Sequence, residues 1–182
     1  TGTITTGKMV IRRVFLGGEK YEVTGDGYEP EGEIKSNSKL KTQNAKLEEI
    51  LGLVYLSLKA NVLKDEHGDW KPIGDPTEAA ISVLCKKAGL NREKLQKEYK
   101  TIVAKPFDQE KRYIEAVFEK NGEKCHVFVG APDFLNKKLK VDHGFSKNYH
   151  DLAREGLRVI GVASFEASEK TLLGNALLAI EE

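Results

Sequence analysis

Two runs rich in alternating apolar residues, Arg112 to Lys120 and Glu123 to Val129, are separated by the dipeptide Asn121-Gly122. A two-residue connection of this composition closes a hairpin, because its turn needs positive φ at both central positions, which Gly adopts freely and Asn tolerates. The strands on either side must run antiparallel, since parallel neighbours need a crossover of a dozen residues or more. The same signal opens the chain, where Lys8 to Leu16 and Lys20 to Thr24 flank Gly17-Gly18. It recurs at His67-Gly68-Asp69, between Val62 to Glu66 and Trp70 to Ile73.

Between these hairpins the period changes. From Ala45 to Ala60 the residues Leu47, Ile50, Leu51, Val54, Tyr55 and Leu58 recur at three- and four-residue intervals, which predicts one apolar stripe on a helix. The polar stretch before it, Glu29 to Lys46, reads as an exposed connection. Asp75, Pro76 and Glu78 stand at the N-cap, first and third positions of a second helix that runs to Gly89, and a capping box is expected there. Asn91 to Tyr99 predicts a short helix, Thr101 to Phe107 a strand, Phe145 to Glu155 a helix stopped by Gly156, and Leu157 to Phe165 a strand. Runs of adjacent strands interrupted by helix pairs predict an α+β fold, a mainly antiparallel twisted sheet flanked by helix pairs, rather than a doubly wound one.

With 29 basic and 28 acidic residues among 182, the formal net charge is +1, so the overall balance gives no reason to expect a nucleic-acid partner. No window holds the roughly 20 apolar residues of a membrane-spanning helix and no leader opens the chain, so the piece is expected to be soluble, without direct membrane insertion. Cys85 and Cys125 lie far apart without metal-ligand spacing, which suits a reducing compartment. His67, His126, His143 and His150 form no ligand pair, and Asp65 to Asp69 lacks the calcium-loop pattern, so no metal site is expected. No Walker loop or kinase glycine loop is present, and no nucleophile and base pair suggests a catalytic residue.

Several separated segments resemble, in order, the motifs of the P-type cation-transporting ATPases of the second class. Thr1-Gly2-Thr3-Ile4-Thr5 is similar to the residues after the phosphorylated Asp-Lys pair, and Val23 to Gly32 to the VTGxGYxPxG stretch. Gly74-Asp75-Pro76-Thr77-Glu78 resembles their GDPTE motif, and Lys105 to Arg112 the segment usually written FDSxRK, with Gln109 at its Ser. Gly130-Ala131-Pro132-Asp133 resembles KGAPE, with Val129 at its Lys, and Gly156-Leu157-Arg158 resembles GLR.

The resemblance implies a nucleotide-binding domain over residues 8–170. Residues 1–7 would be a border segment, and residues 171–182 a strand returning to the phosphorylation domain. It further implies that ATP is bound by Glu78, Phe107, Arg112, Val129, Gly130 and Arg158, with magnesium held mainly outside this domain. On pattern alone Phe107 reads as a core aromatic at a strand end, Glu78 as a capping-box carboxylate, and Arg112 and Arg158 as solvated strand charges. Gly130 reads either as an ordinary turn glycine or as a place where backbone approaches nucleotide. The implied setting is the cytoplasmic part of an integral membrane pump, with its phosphorylation and actuator domains as partners. Val129 and Gln109 also leave open a free-standing interaction module that has lost nucleotide binding.

Overall fold

The computed structural model describes residues 8–36, 41–139, 143–166 and 172–181. Thr1 to Thr5, with the rest of the expected border segment, lie outside the described residues. Strand β1 (Val10–Leu16) turns at Gly17-Gly18, with φ of 57° and 86°, into β2 (Glu19–Val23). Beyond them β3 (Ile34–Ser36) pairs with β2, inside the segment read as a connection. Three residues carry too little alternation to register in sequence; β3 forms because β2 offers it an open edge.

Helix α1 (Lys41–Ser57) lies earlier in the chain than expected at both ends, yet the predicted stripe from Leu47 to Leu58 is buried. Strands β4 (Asn61–Lys64) and β5 (Trp70–Ile73) form a small separate hairpin. Helix α2 (Pro76–Lys87) starts where the sequence dictates: the Asp75 carboxylate accepts the Glu78 N–H at 3.0 Å, and Pro76 fills the first position. Asn91 caps α3 (Arg92–Glu98) in the same way.

Strands β6 (Lys100–Asp108), β7 (Tyr113–Lys120) and β8 (Glu123–Gly130) form a meander whose second turn has Asn121 and Gly122 at φ 54° and 86°. Helices α4 (Pro132–Leu139) and α5 (His143–Arg154) then lead to β9 (Arg158–Glu166) and β10 (Leu172–Glu181). Among the described residues these strands make one antiparallel eight-stranded sheet in the order β3-β2-β1-β10-β9-β8-β7-β6.

Strand β10, within the segment expected to return toward the phosphorylation domain, supplies the middle of this sheet. Strand β10 lies between β1 and β9, and Ala176 to Ile180 are all buried. The physical reason is in the run itself: consecutive apolar residues without alternation need both faces of the sheet covered. Ala176, Leu178 and Ile180 share a core with Leu51 and Val54 of α1 and Ile81 and Leu84 of α2. Leu177 and Ala179 pack on the other side with Phe145 and Leu152 of α5. Each fully buried leucine here stabilises the fold by about 1.5–3 kcal/mol.

Both cysteines are free thiols; burial pushes Cys125 up to about 11 and raises Cys85 as well, so neither is a thiolate near neutral pH. Among the described residues no helix is long and apolar enough to cross a membrane.

Candidate functional site

A cleft of about 490 Å³ is lined by residues of α2, the ends of β6 to β9, the start of α4 and the last turns of α5. Glu78, Phe107, Arg112, Val129, Gly130 and Arg158, drawn from five separated places in the chain, all line it. Each reaches the cleft for a local reason.

The β6–β7 connection is built by Asp108. Its carboxylate accepts the N–H groups of Glu110 and Lys111, both at 2.9 Å, and pairs with the Lys111 ammonium at 3.3 Å. The backbone bond from Lys111 and the nearby ammonium hold Asp108 below the usual carboxylate range. The turn closes with the Arg112 N–H donating to the Asp108 carbonyl at 2.6 Å and Arg112 itself at φ 58°, a left-handed conformation that a residue with a Cβ seldom takes. Just before the turn the β6–β7 register slips between Lys105 and Asp108, which sets Pro106 and Phe107 out of the ladder. Pro106 cannot donate to a ladder and is tolerated because β6 is an edge strand. Phe107 is left 52% exposed at the cleft.

At the end of β8, Val129 is 2% exposed and pairs in register with Ile114 and Val162, so it forms apolar floor rather than a polar contact point. Gly130 pairs with Tyr113 and Gly161. A Cβ on Gly130 would stand 2.2 Å from the Arg112 carbonyl oxygen and 2.5 Å from the Tyr113 Cα. The Arg112 carbonyl and the start of β7 are therefore enough to demand glycine here, whatever approaches from the cleft. On Gly161 a Cβ would meet Phe145, Leu135 and the Pro132 Cα within 3.2 Å, so this glycine lets α4 and α5 close on the sheet beside the cleft.

Glu78 corrects the capping-box expectation. Its N–H is capped by Asp75, but its own carboxylate does not return to Asp75. Oε2 accepts the N–H groups of Lys59 and Ala60 at 2.8 and 3.0 Å, tying the chain after α1 to the start of α2. A carboxylate held by two backbone donors is a fixed acceptor in the cleft wall. Arg158 begins β9 two residues after Gly156, which takes φ 80°, and its side chain lines the cleft.

Sequence reasoning gave no site role to Asp133, Tyr149, Ala153 or Leu157, which also line the cleft. Asp133 stands within Gly130-Ala131-Pro132-Asp133, a segment whose pattern gave it no role of its own. Tyr149 carried a usable signal, since it follows Phe145 by one helical turn on the face of α5 that points to the sheet.

Comparison with known proteins decides the family. A family model described as P-type ATPase, cytoplasmic domain N, matches residues 46–180. The chain belongs to this family. As an N-domain it is 33% identical over 209 residues to a calcium-transporting ATPase of Bacillus subtilis, a match covering 96% of this chain and 23% of the relative. It is 28% identical over 180 residues to the cation-transporting ATPase pma1 of Synechocystis, covering 90% and 20%. With the endoplasmic reticulum calcium ATPase srcA of Aspergillus fumigatus the identity is 26% over 224 residues, covering 97% and 23%. The N-domain chain thus spans between a fifth and a quarter of the length of these relatives.

Proposed function

We propose that this N-domain holds ATP in the cleft, with adenine against the ring of Phe107, its amine toward Glu78 and the phosphates toward Arg112 and Arg158. The γ-phosphate would be passed to an aspartate in the phosphorylation domain of a longer cation pump. The carrying observation is Phe107: a large aromatic, half exposed beside an apolar floor of Ile81, Ile114, Val129 and Ile160, is a stacking surface waiting for a flat partner. Glu78 adds a fixed acceptor that suits an exocyclic amine. The relatives' names support cation transport by the longer protein; its phosphorylation and actuator domains would be this domain's partners on the cytoplasmic side. Magnesium is expected on ligands elsewhere in that pump, because Asp75 and Glu78 are engaged with backbone N–H groups.

Titration of ATP into the isotope-labelled chain tests this reading. Saturable shifts at Phe107, Glu78 and Gly130 are expected, with no phosphate release and little change on chelating magnesium. Absence of any shift at those positions would favour the interaction-module alternative, and a strict magnesium requirement would count against the assignment.

Val129 marks where the family pattern has a lysine. Val129→Lys is expected to strengthen ATP binding by up to about tenfold, ~1.4 kcal/mol, because the aliphatic stem can follow the floor and carry its ammonium into the cleft. The same change loses apolar packing against Ile114 and Val162, so the melting temperature should fall. Calorimetric titration beside a thermal melt measures both; weaker binding would mean that the ammonium cannot emerge from beneath the strand.

A further inference from the structure

Among the described residues five charged side chains line the cleft: Asp75, Glu78 and Asp133 against Arg112 and Arg158. The lining therefore carries more carboxylates than guanidiniums, although the ligand proposed for it is a polyanion. Two of the carboxylates have backbone roles. Asp75 caps α2 through the Glu78 N–H at 3.0 Å, and Glu78 accepts from Lys59 and Ala60.

Asp133 differs. Its Oδ2 accepts from Nη1 of Arg112 at 3.3 Å, and the two side chains are 51% and 53% exposed. The backbone of Arg112 does not depend on Asp133 for its place. It is fixed at φ 58° by its own N–H, which donates to Asp108, and by its carbonyl, which accepts from Ala131 at 2.9 Å. The turn delivers the guanidinium to the cleft, and Asp133 then neutralises it.

From this geometry we propose that Asp133 is a competitor for Arg112, a built-in restraint that the phosphate chain of the nucleotide must displace. The inference rests on the reading of the cleft as an ATP site and deepens it by naming what limits affinity there. An exposed ion pair of this kind is weak, so a triphosphate with several negative oxygens displaces it readily. While it stands it lowers the positive potential at the mouth of the cleft. The restraint acts on charge, so it weakens ATP binding and leaves recognition of the uncharged nucleoside alone. It also makes affinity depend on ionic strength in a way the apolar floor does not.

The test compares ATP and adenosine, by calorimetric titration at low and high salt, across the wild-type chain, Asp133→Asn, Arg112→Gln and the double variant. Asp133→Asn is expected to tighten ATP by about two- to fivefold at low salt, the range set by an exposed ion pair. The gain should fade in ~0.5 M salt, where screening reaches within a few ångströms, and adenosine should show no comparable gain. In the Arg112→Gln background the Asp133→Asn gain should vanish. Thermal melts register separately the loss of an acidic residue from the first turn of α4. Weaker ATP binding by Asp133→Asn would show that Asp133 positions Arg112 instead of competing for it, and a gain persisting without Arg112 would show that it acts without that partner. Either result overturns the proposal while adenosine binding still supports the cleft. If neither ATP nor adenosine binds the wild-type chain, the reading of the cleft fails and this inference falls with it.

Discussion

Phe107→Ala is expected to lower ATP affinity by about 5–150-fold while leaving the melting temperature almost unchanged. Stacking of a base on an aromatic ring is worth about 1–3 kcal/mol by alanine substitution, which sets the size of the loss. The lack of a stability effect follows from position. Phe107 sits on the edge strand β6, where the register slips, and half of its surface already faces solvent, so its removal opens no cavity in the core. A buried aromatic would behave in the opposite way, costing about 3–5 kcal/mol when truncated. Phe107→Tyr keeps the ring and should keep most of the binding, provided the added hydroxyl finds water. Calorimetric titration with a parallel thermal melt reads both quantities. A large fall in melting temperature with ATP affinity preserved would return Phe107 to the role that pattern alone assigned it, a packing residue at a strand end.

What was legible in the sequence, and what was not, divides along the range of the interactions. Hairpins and caps are set by residues within a few positions of one another, and they were read directly: Gly17-Gly18, Asn121-Gly122, the Asp75-Pro76 start of α2 and the Gly156 stop are in place. Elements that exist only through a distant partner were not. Strand β3 depends on the open edge of β2, and helix α4 is held on the sheet by Gly161, some thirty residues further along the chain. The place of β10 was missed for a related reason. Its apolar run was visible, but the family resemblance gave it only a direction of return and no neighbours, whereas a run buried on both faces belongs at the centre of a sheet.

The candidate site divides the same way. The six residues named from the resemblance do line one cleft, which composition and periodicity had no means of showing, since they come from segments as far apart as Glu78 and Arg158. Their individual duties depended on contacts that no spacing encodes. The partners of Glu78 are backbone N–H groups of Lys59 and Ala60, and Gly130 answers to the backbone of β7.

Gly130→Ala is expected to be the most damaging single methyl in the chain's site, destabilising the fold by about 3 kcal/mol and removing ATP binding with it. Overpacking costs typically 1–3 kcal/mol where side chains can move aside. Here the atoms struck are the Arg112 carbonyl oxygen and the Tyr113 Cα, which belong to the backbone and have no rotamer to change. That carbonyl also accepts the Ala131 N–H, so displacing it breaks the bond that sets the start of α4 beside the sheet. Because Arg112 is carried by the same stretch, its guanidinium would leave the cleft together with its backbone. At roughly 2–4 °C per kcal/mol for a chain of this size, the melting temperature should fall by about 6–12 °C. Gly68→Ala is the control that separates collision from conformation. Gly68 has φ 85°, but a Cβ added there would meet nothing within 4 Å, so it should show only the left-handed backbone penalty of about 1–2 kcal/mol, with ATP binding intact. If the two variants melted alike and both bound ATP, the backbone at Arg112 and Tyr113 must yield without disturbing the cleft, and its tight contact with Gly130 would lose its part in forming the site.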